Sequence, residues 1–142
     1  MSAPQVTGGK HMDNEIYQER ILDHYENPRH WGTCDHKTHA FSVENPLCGD
    51  RVTIELEVDA DERIRDARFK GDGCCVSQAA ASMLLEQLIG KTVQEAATFS
   101  SAAMLELFGP RLTATRQRCC LLAWRGLKLA LANDAKGDQE AA

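Results

Sequence analysis

The feature that most constrains the fold is the stretch Val52–Val58, in which every second residue is apolar and the residues between are Thr or Glu. This alternation predicts a β-strand with one face on a core and the other face toward solvent. An acidic turn follows, and Ile64–Phe69 is predicted as the antiparallel hairpin partner. A weaker strand is expected over Ala40–Glu44, ahead of the Asn45-Pro46 pair. The centre of the chain is therefore predicted to form a small antiparallel sheet.

Helical patterns lie on both sides of these strands. Apolar residues spaced four apart predict a first helix from its N-cap, Asp13, to about Tyr25, and Asn27-Pro28 ends it. Gly71-Asp72-Gly73 interrupts the strand pattern. Further helices are predicted over Val76–Ile89, Thr92–Phe99, Ser101–Phe108 and Arg116–Leu131, the last with Thr115 as its cap. This order of elements predicts an α+β domain in which a small antiparallel β-sheet packs against helices.

Composition limits the domain organisation and the class of protein. The chain has 142 residues, which is enough for one domain, expected over residues 13–132. Residues 1–12 are expected to be a disordered extension or tag, and residues 133–142 a disordered tail. The net charge of −5 argues against a nucleic-acid partner, and no apolar run is long enough to cross a membrane. The N-terminus has no apolar stretch typical of a secretory signal, which predicts a reducing, cytoplasmic location.

Three of the six cysteines lie where one element gives way to another. Cys48 precedes the main strand, Cys74 follows the Gly71–Gly73 interruption at a helix start, and Cys119 lies in the predicted first turn of the last helix. A thiol at a helix N-terminus has a lowered pKa, which favours the thiolate. Three thiolates and the Asp50 carboxylate form a complete tetrahedral set for Zn²⁺. They are alternatively three anchors and a weaker fourth ligand for an iron-sulfur cluster.

The competing interpretation is that these cysteines are small apolar residues of a core, since their separations match no local finger such as Cys-x-x-Cys. Adjacent helical residues point about 100° apart, so at most one member of each cysteine pair faces a common centre. Cys120 lies on the apolar stripe of the last helix and is assigned to the core. Periodicity does not choose between Cys74 and Cys75.

Other candidate sites are weaker. Cys34, His36 and His39 form a Cys-x-His-x-x-His cluster that has metal-ligand residue types, but a polar loop explains it equally well. Glu55 and Glu57 are expected on the solvated face of the strand, so no paired carboxylates for acid-base catalysis are predicted.

Four motifs in register give the chain a resemblance to a known family. They are YQERILDHYENPRHWG at Tyr17–Gly32, NPLCGDR at Asn45–Arg51, DARFKGDGCCVS at Asp66–Ser77 and RQRCCLLAW at Arg116–Trp124. Together they resemble the U-type iron-sulfur cluster assembly proteins, the IscU/SufU/NifU N-domain family. The resemblance implies the IscU/SufU-like fold and a metal site formed by Cys48, Asp50, Cys74 and Cys119.

The chain departs from both branches of that family. IscU-type scaffolds usually have a His in a proline-containing segment before the last ligand cysteine, whereas here Arg118 holds that position and residues 113–117 contain no proline. SufU-type proteins resemble it better in the GDGC motif and in the Arg118–Trp124 ending. They typically carry an insertion that is not seen between Ile89 and Arg116. The motifs around the ligand residues favour the SufU-like, zinc-dependent branch.

The resemblance to that branch implies a zinc-bound sulfur carrier that accepts persulfide sulfur from a cysteine desulfurase and passes it to downstream iron-sulfur scaffold or acceptor proteins. Cys48 is the expected acceptor, since its loop can move more easily than a helix, with Cys119 second. Asp50 is expected to tune the lability of the metal and Arg118 to stabilise the Cys119 thiolate. The alternatives are a scaffold for a [2Fe-2S] cluster and a structural zinc domain. Whether the chain is a sulfurtransferase-like enzyme or a non-enzymatic scaffold therefore stays open.

Overall fold

A computed structural model describes residues 19–46, 49–109 and 111–132 of the chain. Three strands form one antiparallel sheet in the order β1-β2-β3, and helices precede and follow them. The predicted α+β class is confirmed. The strands are β1 (His39–Asn45), β2 (Asp50–Val58) and β3 (Ile64–Asp72), and the helices are α1 (described over residues 19–26), α2 (Cys75–Leu88), α3 (Val93–Ala97), α4 (Ser101–Phe108) and α5 (Ala114–Leu131). The predicted start of the first helix and the two chain ends, residues 1–12 and 133–142, lie outside the described residues.

The core lies between one face of the sheet and the two long helices, α2 and α5. The apolar residues of the β2 alternation point into it, and Ile54 and Leu56 are fully buried there. Gly126 lets α5 lie close to the sheet, because it has no side chain on the facing side. A Cβ atom at this position would lie only 3.2 Å from Ile54 Cγ1 and 3.6 Å from Val43 Cγ2. The helix can therefore pack directly on β1 and β2.

A loop crosses the opposite face of the sheet. The backbone N–H of Gly32 donates to the carbonyl of Phe69 on β3, and that of Thr38 donates to Leu56 on β2. The loop between them covers Glu55, whose carboxylate accepts from the backbone N–H of Cys34 at 2.9 Å. The expectation that Glu55 is solvated was therefore wrong. Alternation assigns a face to a side chain, but it does not reveal that a distant loop covers that face.

Two element boundaries also differ from the sequence-based expectation. β3 continues to Asp72 because Gly71 still pairs with Val52, so the glycine lies inside the strand. The last helix begins at Ala114, and its cap is Thr113, whose side chain accepts from the N–H of Arg116. Thr113 and Thr115 are equally good cap residues, so the pattern alone does not choose between them.

Side-chain caps define the starts of the two short helices. α3 begins with a capping box in which Thr92 and Glu95 bond reciprocally, and Ser100 caps α4. No helix within the described ranges is both long enough and apolar enough to span a membrane.

Candidate metal centre

Three elements bring metal-ligating side chains together at one end of the sheet. Asp50 is the first residue of β2, Cys74 is the N-cap of α2, and Cys119 lies in the second turn of α5. One ligand atom from each residue lies within 4.8 Å of the other two. Within the described part of the chain, this is the only group of three or more His, Cys, Asp or Glu residues with such geometry. Cys48 lies outside the described residues.

The Asp50 carboxylate is held at the N-terminus of α2. It is 2% exposed, and its Oδ1 accepts from the backbone N–H of Cys74 at 3.1 Å. The Cys74 thiol lies 3.7 Å from Oδ2 of the same carboxylate. A negative charge is favourable at this position because it faces the positive end of the helix dipole. The strand end and the helix start therefore fix both side chains against each other.

Gly73 makes this close approach possible. A Cβ atom at residue 73 would lie 2.6 Å from Asp50 Oδ1 and 2.6 Å from Ser77 Oγ. Ser77 is fully buried, and its hydroxyl donates to the carbonyl of Cys74 at 3.0 Å. The glycine before Cys74 thus leaves room for the carboxylate beside the first turn of α2.

The two thiols differ in their exposure and in their positions on the helices. Cys74 is half-buried and Cys119 is buried, and both line an open pocket of about 380 Å³. Cys74 is at a helix N-terminus, as predicted. Cys119 is not, because α5 begins two residues earlier than expected and Cys119 is its sixth residue. The expectation that Cys119 lies in the first turn was wrong.

The donor set fits a zinc ion. Ligand atoms around tetrahedral Zn²⁺ lie about 3.5–3.8 Å apart, as follows from metal-ligand distances of about 2.0–2.3 Å. The pair Cys74 Sγ and Asp50 Oδ2, at 3.7 Å, is already at this spacing. Because no two ligand atoms of the group are more than 4.8 Å apart, each pair would have to close by at most about 1.3 Å to reach this spacing. Two thiols and one carboxylate leave one position for a fourth ligand.

The remaining cysteines lie apart from this group. Cys75 is half-buried against the core, so the choice that periodicity left open falls on Cys74. Cys120 is fully buried, as assigned, and burial raises the pKa of its thiol to about 12. Burial and, secondarily, the nearby Asp66 carboxylate raise the pKa of Cys34 to about 12 as well. These two thiols therefore stay protonated at neutral pH.

The weaker candidate site is not assembled. The Cys34 thiol donates to the backbone carbonyl of Glu55 at 3.4 Å, and Nδ1 of His39 lies 2.8 Å from the Thr38 hydroxyl. His36 is exposed. The cysteine and the two histidines do not form a ligand group in the described structure.

Arg116 is a pocket residue that the sequence analysis did not select. It lines the pocket together with Thr115 and Cys119, whereas Arg118, the residue chosen for its position beside Cys119, is exposed and is not part of the lining. Residues three apart share a helix face and adjacent residues do not. The i, i+3 relation between Arg116 and Cys119 was therefore the signal that could have identified it.

Comparisons with known proteins agree with this fold. Residues 16–140 match the family model described as the NifU-like N terminal domain, and the chain belongs to this family. It is 30% identical over 140 residues to the zinc-dependent sulfurtransferase SufU of Bacillus subtilis (strain 168), with 87% of this chain and 94% of that one covered. The resemblance to the U-type family is confirmed.

A second relative and a solved structure extend the comparison. The chain is 34% identical over 128 residues to the iron-sulfur cluster assembly scaffold protein IscU of Escherichia coli (strain K12), with 88% of this chain and 98% of that one covered. The crystal structure of FiSufU from Fervidobacterium islandicum AW-1, a protein for the SUF system, aligns with a TM-score of 0.69 and 30% identity. That alignment covers 87% of this chain and 99% of the other. Relatives named SufU and IscU therefore both match this chain over most of their length.

Proposed function

We propose that this protein is a zinc-bound sulfur acceptor of iron-sulfur cluster assembly, which takes persulfide sulfur from a cysteine desulfurase in the cytoplasm. The observation that carries the proposal is the convergence of Asp50, Cys74 and Cys119 in the lining of an open pocket. The similarity to a zinc-dependent sulfurtransferase supports it. A purely structural site would not need thiols that line an open pocket.

Cys48, Asp50, Cys74 and Cys119 would hold the metal. Bound Zn²⁺ would keep the cysteine ligands deprotonated, but a zinc-bound thiolate is tied up, so the acceptor cysteine would have to leave the metal before it exchanges. Asp50, a harder and weaker ligand for zinc than a thiolate, would make the site labile, and the Cys74 N–H keeps its carboxylate in place. Cys74 and Cys119 lie on helices that pack against the core and would stay fixed.

Cys48 is the proposed acceptor, with Cys119 as second choice. The Cys48 thiolate would attack the outer sulfur of the desulfurase persulfide. A new S–S bond forms on this chain, the S–S bond on the desulfurase breaks, and the electron pair of that bond leaves with the desulfurase cysteine as a thiolate. Gly49, which has a φ of 76° and is exposed at the pocket, follows Cys48 and gives the loop a backbone conformation that other residues rarely adopt.

The second candidate is a scaffold on which a [2Fe-2S] cluster is assembled and passed to acceptor proteins. The same four residues would serve, and the similarity to scaffold proteins named IscU favours it. Arg118, at the position where IscU-type scaffolds usually have His, is the feature of this chain that favours the sulfur acceptor.

The test combines the purified desulfurase, ³⁵S-labelled cysteine and single variants of this protein. We expect Cys48→Ala to abolish transfer of label, whereas Cys75→Ala, a matched change outside the ligand group, retains it. Stoichiometric zinc in protein purified without added metal supports the acceptor. Iron and sulfide with visible absorption bands after anaerobic reconstitution, together with full labelling of Cys48→Ala, would contradict it in favour of the scaffold.

A further inference from the structure

Among the described residues, Arg116 is the only basic residue that lines the pocket of the metal centre. The rest of the lining consists of Asp50, Cys74, Cys119, two glycines and a threonine. Arg116 precedes Cys119 by three residues on α5, so the two side chains lie on the same face of the helix. The packing of α5 therefore brings one positive charge to the pocket that holds the metal-ligating groups.

The guanidinium of Arg116 is not neutralised by the protein. Within the part of the chain that the structure describes, no hydrogen bond or ion pair engages it, whereas Arg29 and Arg51 each pair with a carboxylate. The Asp50 carboxylate, although it lines the same pocket, accepts from the backbone N–H of Cys74 and lies against the Cys74 thiol. Arg116 is exposed, so its charge is available to an anion that enters the pocket.

Sulfur transfer at this site would bring such an anion. A persulfide carries its negative charge on the terminal sulfur, and the thiolate that attacks it is also negative. The attack forms a new S–S bond on this chain and breaks the S–S bond of the donor, whose electron pair leaves with the donor cysteine as a thiolate. Two negative charges are present before and after this step, and they come closest while the sulfur is in transit. A positive side chain at the pocket lowers their repulsion.

We propose that Arg116 binds the negatively charged terminal sulfur of the persulfide as it passes to this chain. The inference rests on the proposed function for the acceptor role, and it is the same whichever cysteine receives the sulfur. A guanidinium suits this task because it stays positively charged at physiological pH and offers several N–H donors. Arg116 is thus assigned to the substrate and not to the metal, so zinc should bind equally well without it.

The test is the single-turnover transfer of ³⁵S from purified, persulfide-loaded desulfurase to the zinc-bound protein, measured over a range of protein concentrations. We expect the limiting rate constant to fall about 10- to 100-fold in Arg116→Gln. This is less than the loss of about 100- to 1,000-fold for a donor in a water-excluded site, because this pocket is open. Arg116→Lys, which keeps the positive charge, should recover most of the rate. The half-saturating concentration, the zinc content and the Tm should stay at their wild-type values.

The matched control is Arg118→Gln. It removes the same charge from the same helix, and its guanidinium also has no partner within the described residues. Arg118 lies about 200° around α5 from Arg116 and does not line the pocket. The control should therefore transfer sulfur at the wild-type rate.

A second measurement follows Arg116 itself in the wild-type protein. In ¹⁵N NMR spectra, the side-chain Nε–H resonance of Arg116, assigned by its loss in Arg116→Lys, should shift when the protein is loaded with persulfide sulfur. The resonance of Arg118 should not shift. An unmoved Arg116 resonance overturns the inference, and this holds even if Arg116→Gln is too unstable for the transfer assay.

The outcomes separate this inference from the proposed function. Wild-type protein that accepts sulfur, together with equal limiting rates in Arg116→Gln and Arg118→Gln, overturns the role of Arg116 and leaves the acceptor role intact. A higher half-saturating concentration with an unchanged limiting rate also overturns it, because Arg116 would then serve docking. Loss of zinc from Arg116→Gln contradicts the assignment to the substrate. Wild-type protein that accepts no sulfur refutes the proposed function.

Discussion

Replacing Gly73 by alanine tests whether the close approach of Asp50 to the start of α2 controls the metal centre. The added Cβ would lie 2.6 Å from Asp50 Oδ1, about 0.8 Å closer than an ordinary contact of about 3.4 Å. Ser77 Oγ is equally close, so the methyl group cannot be accommodated by moving the carboxylate alone. The 3.1 Å hydrogen bond from the Cys74 N–H must lengthen as Asp50 moves away.

The expected magnitude follows from two opposing effects. Overpacking costs about 1–3 kcal/mol, and the lower entropy of the unfolded alanine chain offsets about 0.4–1 kcal/mol of it. We expect the free energy of unfolding to fall by about 1–2 kcal/mol, which corresponds to a Tm lower by about 3–7 °C for a chain of this size. Metal affinity should fall about 10- to 100-fold, as is typical when the support of a ligand is lost.

The assay measures the Tm in the presence of a chelator and zinc affinity by competition with a chromophoric chelator. Gly126→Ala is the matched control, because its Cβ meets Ile54 at 3.2 Å in the core, away from the pocket. It should leave zinc affinity unchanged. Wild-type zinc affinity and Tm in Gly73→Ala would refute the reasoning that the glycine is required for the carboxylate position.

Three further predictions concern thiol reactivity, pH and packing. Because burial raises the pKa of Cys34 and Cys120 to about 12, both should resist iodoacetamide at pH 8 in the folded protein and react after unfolding in urea; mass spectrometry that finds rapid native labelling would contradict this. Burial lowers the pKa of His24 in the folded protein below its usual 6.5. As the pH falls, the unfolded chain therefore takes up a proton at a higher pH than the folded chain does, and stability is lost below about pH 6.5. In urea titrations, the free energy of unfolding should fall less between pH 7.5 and pH 5.5 in His24→Gln than in the wild type. An equal fall in both proteins argues against a role for the His24 ring. Trp124→Phe removes the indole N–H that donates to the Phe99 carbonyl at 2.7 Å and should lower the free energy of unfolding by about 1 kcal/mol, so an unchanged Tm would be the contrary result.

Local patterns predicted most of the elements of this fold. The β2 alternation, the Asn27-Pro28 break and the hydroxyl residues before α3 and α4 all correspond to observed boundaries within one or two residues. These signals arise from neighbouring residues, whose spacing and capping chemistry act over one turn or one strand. The boundary errors, at Thr115 and Gly71, occurred where a second residue of the same type two positions away, Thr113 or Gly73, satisfied the same local rule.

The sequence by itself determined which side chains have the chemistry for a metal centre and which segments are strands or helices, because residue type and periodicity are local properties. Only the tertiary structure decided that Glu55 is buried beneath a loop and that Arg116 lines the pocket, and it placed Cys74 beside Asp50 and Cys119, a choice between Cys74 and Cys75 that periodicity left open. Each of these facts depends on the distance between segments far apart in the chain. That distance is set by how the helices pack on the sheet, which no spacing within one segment encodes.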